Sequence, residues 1–385
     1  MFNKFIIFGF LVITQTAFAQ VAGDPVRLDE IGYYSIEQIT LYKKQLGIDT
    51  PTTSSVTAYK LSYYTTGIDG KLTIATAGVT VPNDQVVETR PVVSYQHGTT
   101  SRRDLVPSSG HTELILNGAY YSSNGYVVVA ADYLGLGEEM SFHPYLHAES
   151  EATTCADALL AIYKLGLSSS KKLFMAGYSQ GGHATMALHR YWQNKYGADR
   201  PVTAAAPMAG PYDLSGTVIE TSRQIGKISA STVTYTGYLL LAMNMIYSLD
   251  AGLVNYVQAP YATQMPTLYD GTHDFKDIMA VLPQTLPEFL TVSLIDGITH
   301  HPDTNAFVLA LKKNDVYDWK SEAPIQFCHG DADLDVPPSN TIKTMAHMQA
   351  LGTVVSRAVI PGGLTHSTAG VPCFRETARF FETFR

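Results

Sequence analysis

Only three cysteines occur in 385 residues, Cys155, Cys328 and Cys373, so at most one intrachain disulfide can form. Charge is sparse as well, at 16% of residues with a formal net charge of -8, and no basic stripe is present. That balance argues against phosphate neutralisation and hence against nucleic acid as a partner. Apolar runs long enough to cross a bilayer are missing. Phe5 to Ile13 is too short, and Asn244, Ser248 and Asp250 interrupt the apolar stretch Tyr235 to Val257. No Cys-x-x-Cys, His-Glu-x-x-His, phosphate-binding loop or Gly-x-Gly-x-x-Gly after a strand is found, so no metal, nucleotide or other cofactor is implied. His300-His301-x-Asp303 lacks helical ligand spacing and reads as a polar loop. Internal repeats and low-complexity runs are absent too.

What is present describes a folded, soluble chain. Hydrophobic residues make up 45%, and the length allows one large core or two smaller ones. Twenty-four tyrosines suit surfaces that meet amphipathic or carbohydrate ligands. The N-terminus has the form of an export leader: Lys4, the apolar Phe5 to Ile13, then Ala17-Phe18-Ala19 as a small-x-small cleavage site. Residues 1–19 are expected to be removed, placing the mature chain outside the cytoplasm, secreted or periplasmic. No cysteine follows the cut, so no lipid anchor is expected there. An oxidising compartment allows Cys328 to pair with Cys373, while three buried thiols are equally compatible with the sequence.

Along the chain, Val56 to Thr66 and Leu72 to Val81 alternate around Gly67-Ile68-Asp69-Gly70 and predict an antiparallel hairpin. Buried-type strands are predicted at 91–96, 126–130, 173–178, 202–209, 324–328 and 354–360. Helices lie between them, including Ala148 to Leu165 with acids early and Lys164 late. This alternation predicts an α/β fold with a mainly parallel sheet covered on both faces. Between about 211 and 320 the rhythm fails, and a mostly helical cap inserted after the sixth strand is expected. The remaining segments, 20–210 and 321–385, form the catalytic domain.

Chemistry concentrates where such strands end, the ligand-binding rim of a parallel sheet. Gly177-Tyr178-Ser179-Gln180-Gly181-Gly182 joins an apolar strand to a helix, so Ser179 sits on a sharp turn with its hydroxyl exposed. A serine hydroxyl needs an adjacent base held by a third group. His366, in the glycine-rich loop after the last strand, is the candidate base. Asp333, in Gly330-Asp331-Ala332-Asp333-Leu334-Asp335, is the candidate acid. Asp331 is the alternative, and Asp331 and Asp335 otherwise read as turn or capping residues. The backbone amides of Gln180 and Thr99 are candidate oxyanion donors. His97, Gly98 and Tyr178, flanking the donors and the nucleophile, are candidate substrate-binding residues.

The order Ser179, Asp333, His366 resembles that of the α/β-hydrolase superfamily, over about residues 57–385. Tyr95-Gln96-His97-Gly98-Thr99, Gly177 to Ala184, Asp132-Tyr133-x-Gly135-x-Gly137 and His143-Pro144-Tyr145 resemble secreted esterases and lipases of the fungal lipase A (secretory lipase) type. The resemblance implies hydrolysis of a small-molecule or lipid ester through a capped apolar pocket, without stable membrane insertion. A serine peptidase, an acetyl- or feruloyl-sugar esterase and a non-catalytic binding protein on the same scaffold are the other readings. Acyl chain length and oligomeric state are not encoded in these motifs.

Overall fold

The computed structural model describes residues 19–48, 50–223, 229, 231–360 and 362–385. The expected leader lies outside them, except for Ala19. The strands are β1 (Pro25–Tyr34), β2 (Val56–Thr66), β3 (Leu72–Pro82), β4 (Val92–Gln96), β5 (Val127–Ala131), β6 (Leu173–Tyr178), β7 (Val202–Met208), β8 (Ile325–His329) and β9 (Val355–Val359). They form one sheet in the order β1-β2-β3-β5-β4-β6-β7-β8-β9. Pairing is antiparallel from β1 through β3 to β5, and parallel from β5 to β9.

The central strands are buried because both faces are covered. β4 and β5 are buried at every position, as their continuous apolar runs require. On one face lie Ala148–Lys164 and Gln180–Tyr196, whose Ala152, Ala156, Leu159, Ala184 and Leu188 pack with Val127, Val129 and Met175. On the other, Cys373, Phe374 and Phe381 of the helix His366–Glu382 join Tyr95, Val128 and Phe174. Ala148–Lys164 follows its end signals: His147 accepts the Ser150 N–H, Glu149 and Glu151 sit in the first turn, and Lys164 sits in the last. Cys328 and Cys373 form a disulfide and tie that last helix to β8; Cys155 is a buried free thiol.

Two expectations need correction. The helical segment follows the seventh strand rather than the sixth, because 25–34, where no strand was expected, pairs with β2 as the edge strand β1. Its side chains are exposed or half-buried throughout, so backbone pairing sustains it without an apolar pattern to betray it. The apolar stretch 235–257, within the segment expected to be mostly helical, is not helical throughout: the helix runs over Thr232–Tyr247. Ser248 takes the left-handed conformation (φ 51°, ψ 51°) and donates its N–H to Asn244 O at 2.8 Å, which closes the helix.

Among the described residues, seven α-helices run between β7 and β8, from Leu214–Arg223 to Ala306–Lys312. Leu240, Met243, Met265, Phe289, Ile298 and Phe307 give this segment an apolar core of its own. Tyr145 and Leu146, from the loop after β5, enter that core and join it to the sheet. Among the described residues no helix is long and apolar enough to cross a membrane.

Candidate active site

Ser179 occupies the turn between β6 and the helix Gln180–Tyr196, with φ 60° and ψ -120°. That backbone is costly for a residue with a Cβ, and the neighbourhood enforces it. The Ser179 N–H donates to Met208 O at 2.9 Å. A Cβ on Gly177 would lie 2.3 Å from Gly181 O, and one on Gly181 1.9 Å from Gln96 O. Only glycine lets the strand and helix cross so closely.

The three side chains expected to meet do so. His366 Nε2 lies 2.8 Å from Ser179 Oγ, and His366 Nδ1 lies 2.6 Å from Asp333 Oδ2. With the carboxylate accepting at Nδ1, the imidazole carries its proton there and presents the Nε2 lone pair to the serine hydroxyl. Asp333 is fully engaged. Its Oδ1 accepts the N–H groups of Asp335 and Val336, both at 2.9 Å, and its Oδ2 also accepts from His329 Nε2 at 3.0 Å. Burial pushes its pKa up, but the hydrogen bonds and charge of His329 and His366 outweigh this and hold the carboxyl well below the ordinary range. Asp331 plays a different part, accepting the Leu364 N–H at 2.8 Å and fastening the loop that carries His366.

The amides of Gln180 and Thr99 have no hydrogen-bond partner among the described residues; Gln180 lines the cavity beside Ser179, and Thr99 does not. Gln180 N–H is unpaired because it opens a helix. The Thr99 hydroxyl lies 3.0 Å from Tyr145 OH, which holds that loop against the residue 145 corner.

His97, Gly98 and Tyr178 do not line the cavity at Ser179. Burial and self-contained bonding explain it. The His97 ring stacks on Tyr133 with centroids 4.2 Å apart, and its nitrogens face the carbonyls of Gly98 and Asp132 at 2.7 and 3.1 Å. Gly98 N–H is taken by the Glu113 carboxylate at 3.2 Å. Tyr178 donates its hydroxyl to the His366 carbonyl and so supports the histidine backbone.

The cavity beside Ser179 and His366 measures about 80 Å³ and is walled by residues the sequence reading left unassigned. Tyr145 and Leu146 come from the loop after β5; Leu214, Tyr235, Leu239, Leu286 and Ile298 come from the helices between β7 and β8. Asp335 also lines it, accepting from the Ser229 and Ser231 hydroxyls. Apolar residues with a few polar ones at helical spacing do not announce which face meets a ligand. His329 and Glu151 were missed as well, although an acid within the alanine-rich Ala148–Lys164 was a usable signal. Among the described residues no group of three or more metal-ligating side chains gathers.

No family model and no curated protein sequence matches the chain. Solved structures do. A Legionella pneumophila protein provisionally described as a hydrolase is 30% identical with a TM-score of 0.87, covering 94% of this chain and 98% of its own. The rice cell wall degrading esterase LipA of Xanthomonas oryzae is 23% identical with a TM-score of 0.84, covering 94% and 100%. Candida antarctica lipase A is 16% identical with a TM-score of 0.69, covering 95% and 83%. Sheet order and relatives together define a hydrolase on an α/β scaffold. The chain has the α/β-hydrolase fold and belongs to the hydrolases represented by the Legionella pneumophila protein.

Proposed function

We propose that the chain is an exported serine esterase acting on small-molecule carboxylic esters. Ser179 Oγ attacks the ester carbonyl carbon as its proton passes to His366 Nε2. The carbonyl oxygen, now negative, is held by the amides of Gln180 and Thr99. His366 returns the proton to the leaving alcohol, the C–O bond breaks, and an acyl group remains on Ser179. Water, deprotonated by the same imidazole, then releases the acid. Asp333 keeps the imidazole in the required tautomer and balances its transient charge.

The observation that carries this reading is the unbroken relay Ser179–His366–Asp333, with contacts of 2.8 and 2.6 Å, opening into an apolar cavity. The helices between β7 and β8 act as its cap, since they supply most of the wall. Export is supported by the leader-like first 19 residues and by the Cys328–Cys373 disulfide. Hydrolysis of p-nitrophenyl acetate through palmitate, beside an aryl-sugar ester and a peptide anilide, tests the substrate class. Ester turnover is expected to exceed anilide turnover and to fall about 10⁶-fold in Ser179→Ala. Faster anilide cleavage would make the protein a peptidase.

A further inference from the structure

We propose that Glu151 is a positioning residue for the oxyanion donor of Gln180; the inference rests on the reading above that the Gln180 amide receives the oxyanion. Glu151 is 1% exposed, on the first turn of Ala148–Lys164. Its Oε1 accepts from Gln180 Nε2 at 2.9 Å and its Oε2 faces His183 Nδ1 at 2.7 Å. One carboxylate thus grips residues 180 and 183, the first turn of the helix that Ser179 opens. That turn adjoins the strained serine backbone; Gly182 and His183 donate their N–H groups to Ser179 O at 2.9 and 3.3 Å, whereas the Gln180 N–H, at the helix start, has no helical partner to hold its direction.

Proton counting shows how the clamp is built. His143 Nδ1 lies 2.8 Å from Leu134 O, a pure acceptor, so Nδ1 carries the proton. The His143 Nε2 lone pair then accepts the second N–H of Gln180, at 3.0 Å. Both side-chain amide protons of Gln180 are committed, while its Oε1 is buried without a hydrogen-bond partner among the described residues. His183 Nε2 lies 2.8 Å from Asn314 O, so it too is a donor. The contact between His183 Nδ1 and Glu151 must therefore contain a further proton, on one partner or the other. Either way the pair is net neutral. Glu151 therefore adds no net negative charge at the start of the helix whose first amide is to receive the oxyanion, where it would oppose it.

Asn314 extends the clamp outward. Its Nδ2 donates to Tyr247 OH at 3.1 Å and to Ala310 O at 3.0 Å, both in the segment between β7 and β8. Its Oδ1 accepts from Ala148 N–H at 2.9 Å, at the start of the helix bearing Glu151.

The test is kcat on p-nitrophenyl acetate per active site, with sites titrated by a fluorophosphonate. Glu151→Ala leaves the Gln180 amide and His183 Nδ1 buried without their partner and is expected to lower kcat per site about 10–100-fold, with KM within about threefold. Glu151→Gln is expected to recover most of that loss. Its amide oxygen accepts from Gln180, its N–H donates to the free Nδ1 of neutral His183, and the local charge stays zero. Gln180→Met keeps the Glu151–His183 pair and tests the same link if Glu151→Ala does not fold; a loss of about 10-fold is expected. Folded Glu151→Ala or Gln180→Met with kcat per site within about twofold of wild type overturns the proposal, as does a loss in Glu151→Gln equal to that in Glu151→Ala. An active Ser179→Ala instead overturns the esterase mechanism beneath it.

Discussion

The sheet side of the cavity and its helical side are built by different physics. On the sheet side, Ser179, Asp333 and His366 are fixed by directional bonds, strained backbone and glycines that no other residue could replace. On the helical side, Leu214, Leu239, Leu286 and Ile298 hold their places through mutual apolar packing. Directional constraint tolerates little change, whereas apolar packing tolerates swaps of similar volume. Chemistry should therefore be brittle at the first wall and adjustable at the second.

The largest contrast expected between neighbouring residues separates two aspartates two residues apart. Asp333→Asn is expected to lower kcat about 10⁴-fold by losing the tautomer control of His366. Asp331→Asn, which only loosens the 363–364 loop, is expected to cost less than about 10-fold. A larger loss at Asp331 would move the acid and break the contrast. Across the cavity, Leu239→Trp is expected to leave acetate turnover within about threefold while lowering kcat/KM for octanoate about 10-fold or more. Equal losses on both esters would mean that the helical wall does not read the acyl group.

The smallest effect concerns pH. Burial holds the His143 pKa down to about 4. Its unfolded value is about 6.5, so between these values the unfolded chain binds the extra proton, and stability falls as pH drops from about 6.5 to 4. The full swing is about 3 kcal/mol. His143→Gln is expected to flatten that slope in thermal melts. Asp132, pushed up to about 6 by burial, has the opposite sign over a similar range, but wild type and variant share it. An unchanged slope would show that His143 is not the group responsible.

The same division explains what could be read from the chain alone. Ser179, Asp333 and His366 each follow an apolar run that ends at the sheet rim, and such runs are local signals. The direction of the His97 and Tyr178 side chains depends on Asp132, Gly98 and His366, most of them distant in sequence, so neighbouring residues could not reveal it. Glu151 was visible only as a favourable charge at a helix start; its contact with Gln180 spans 29 positions. β1 escaped because its apolar residues Val26, Leu28, Ile31 and Tyr33 are exposed or half-buried and a register shift between Glu30 and Gly32 breaks their alternation. The end of the helix Thr232–Tyr247 was not legible because the apolar letters continue past Ser248, whose left-handed backbone ends the helix.

Mass mapping of fluorophosphonate-treated protein addresses the central claim most directly. A single adduct on the peptide bearing Ser179 is predicted, formed much more slowly in His366→Ala and absent in Ser179→Ala. Adducts elsewhere, or equal labelling of folded His366→Ala, would contradict a nucleophile activated by that imidazole.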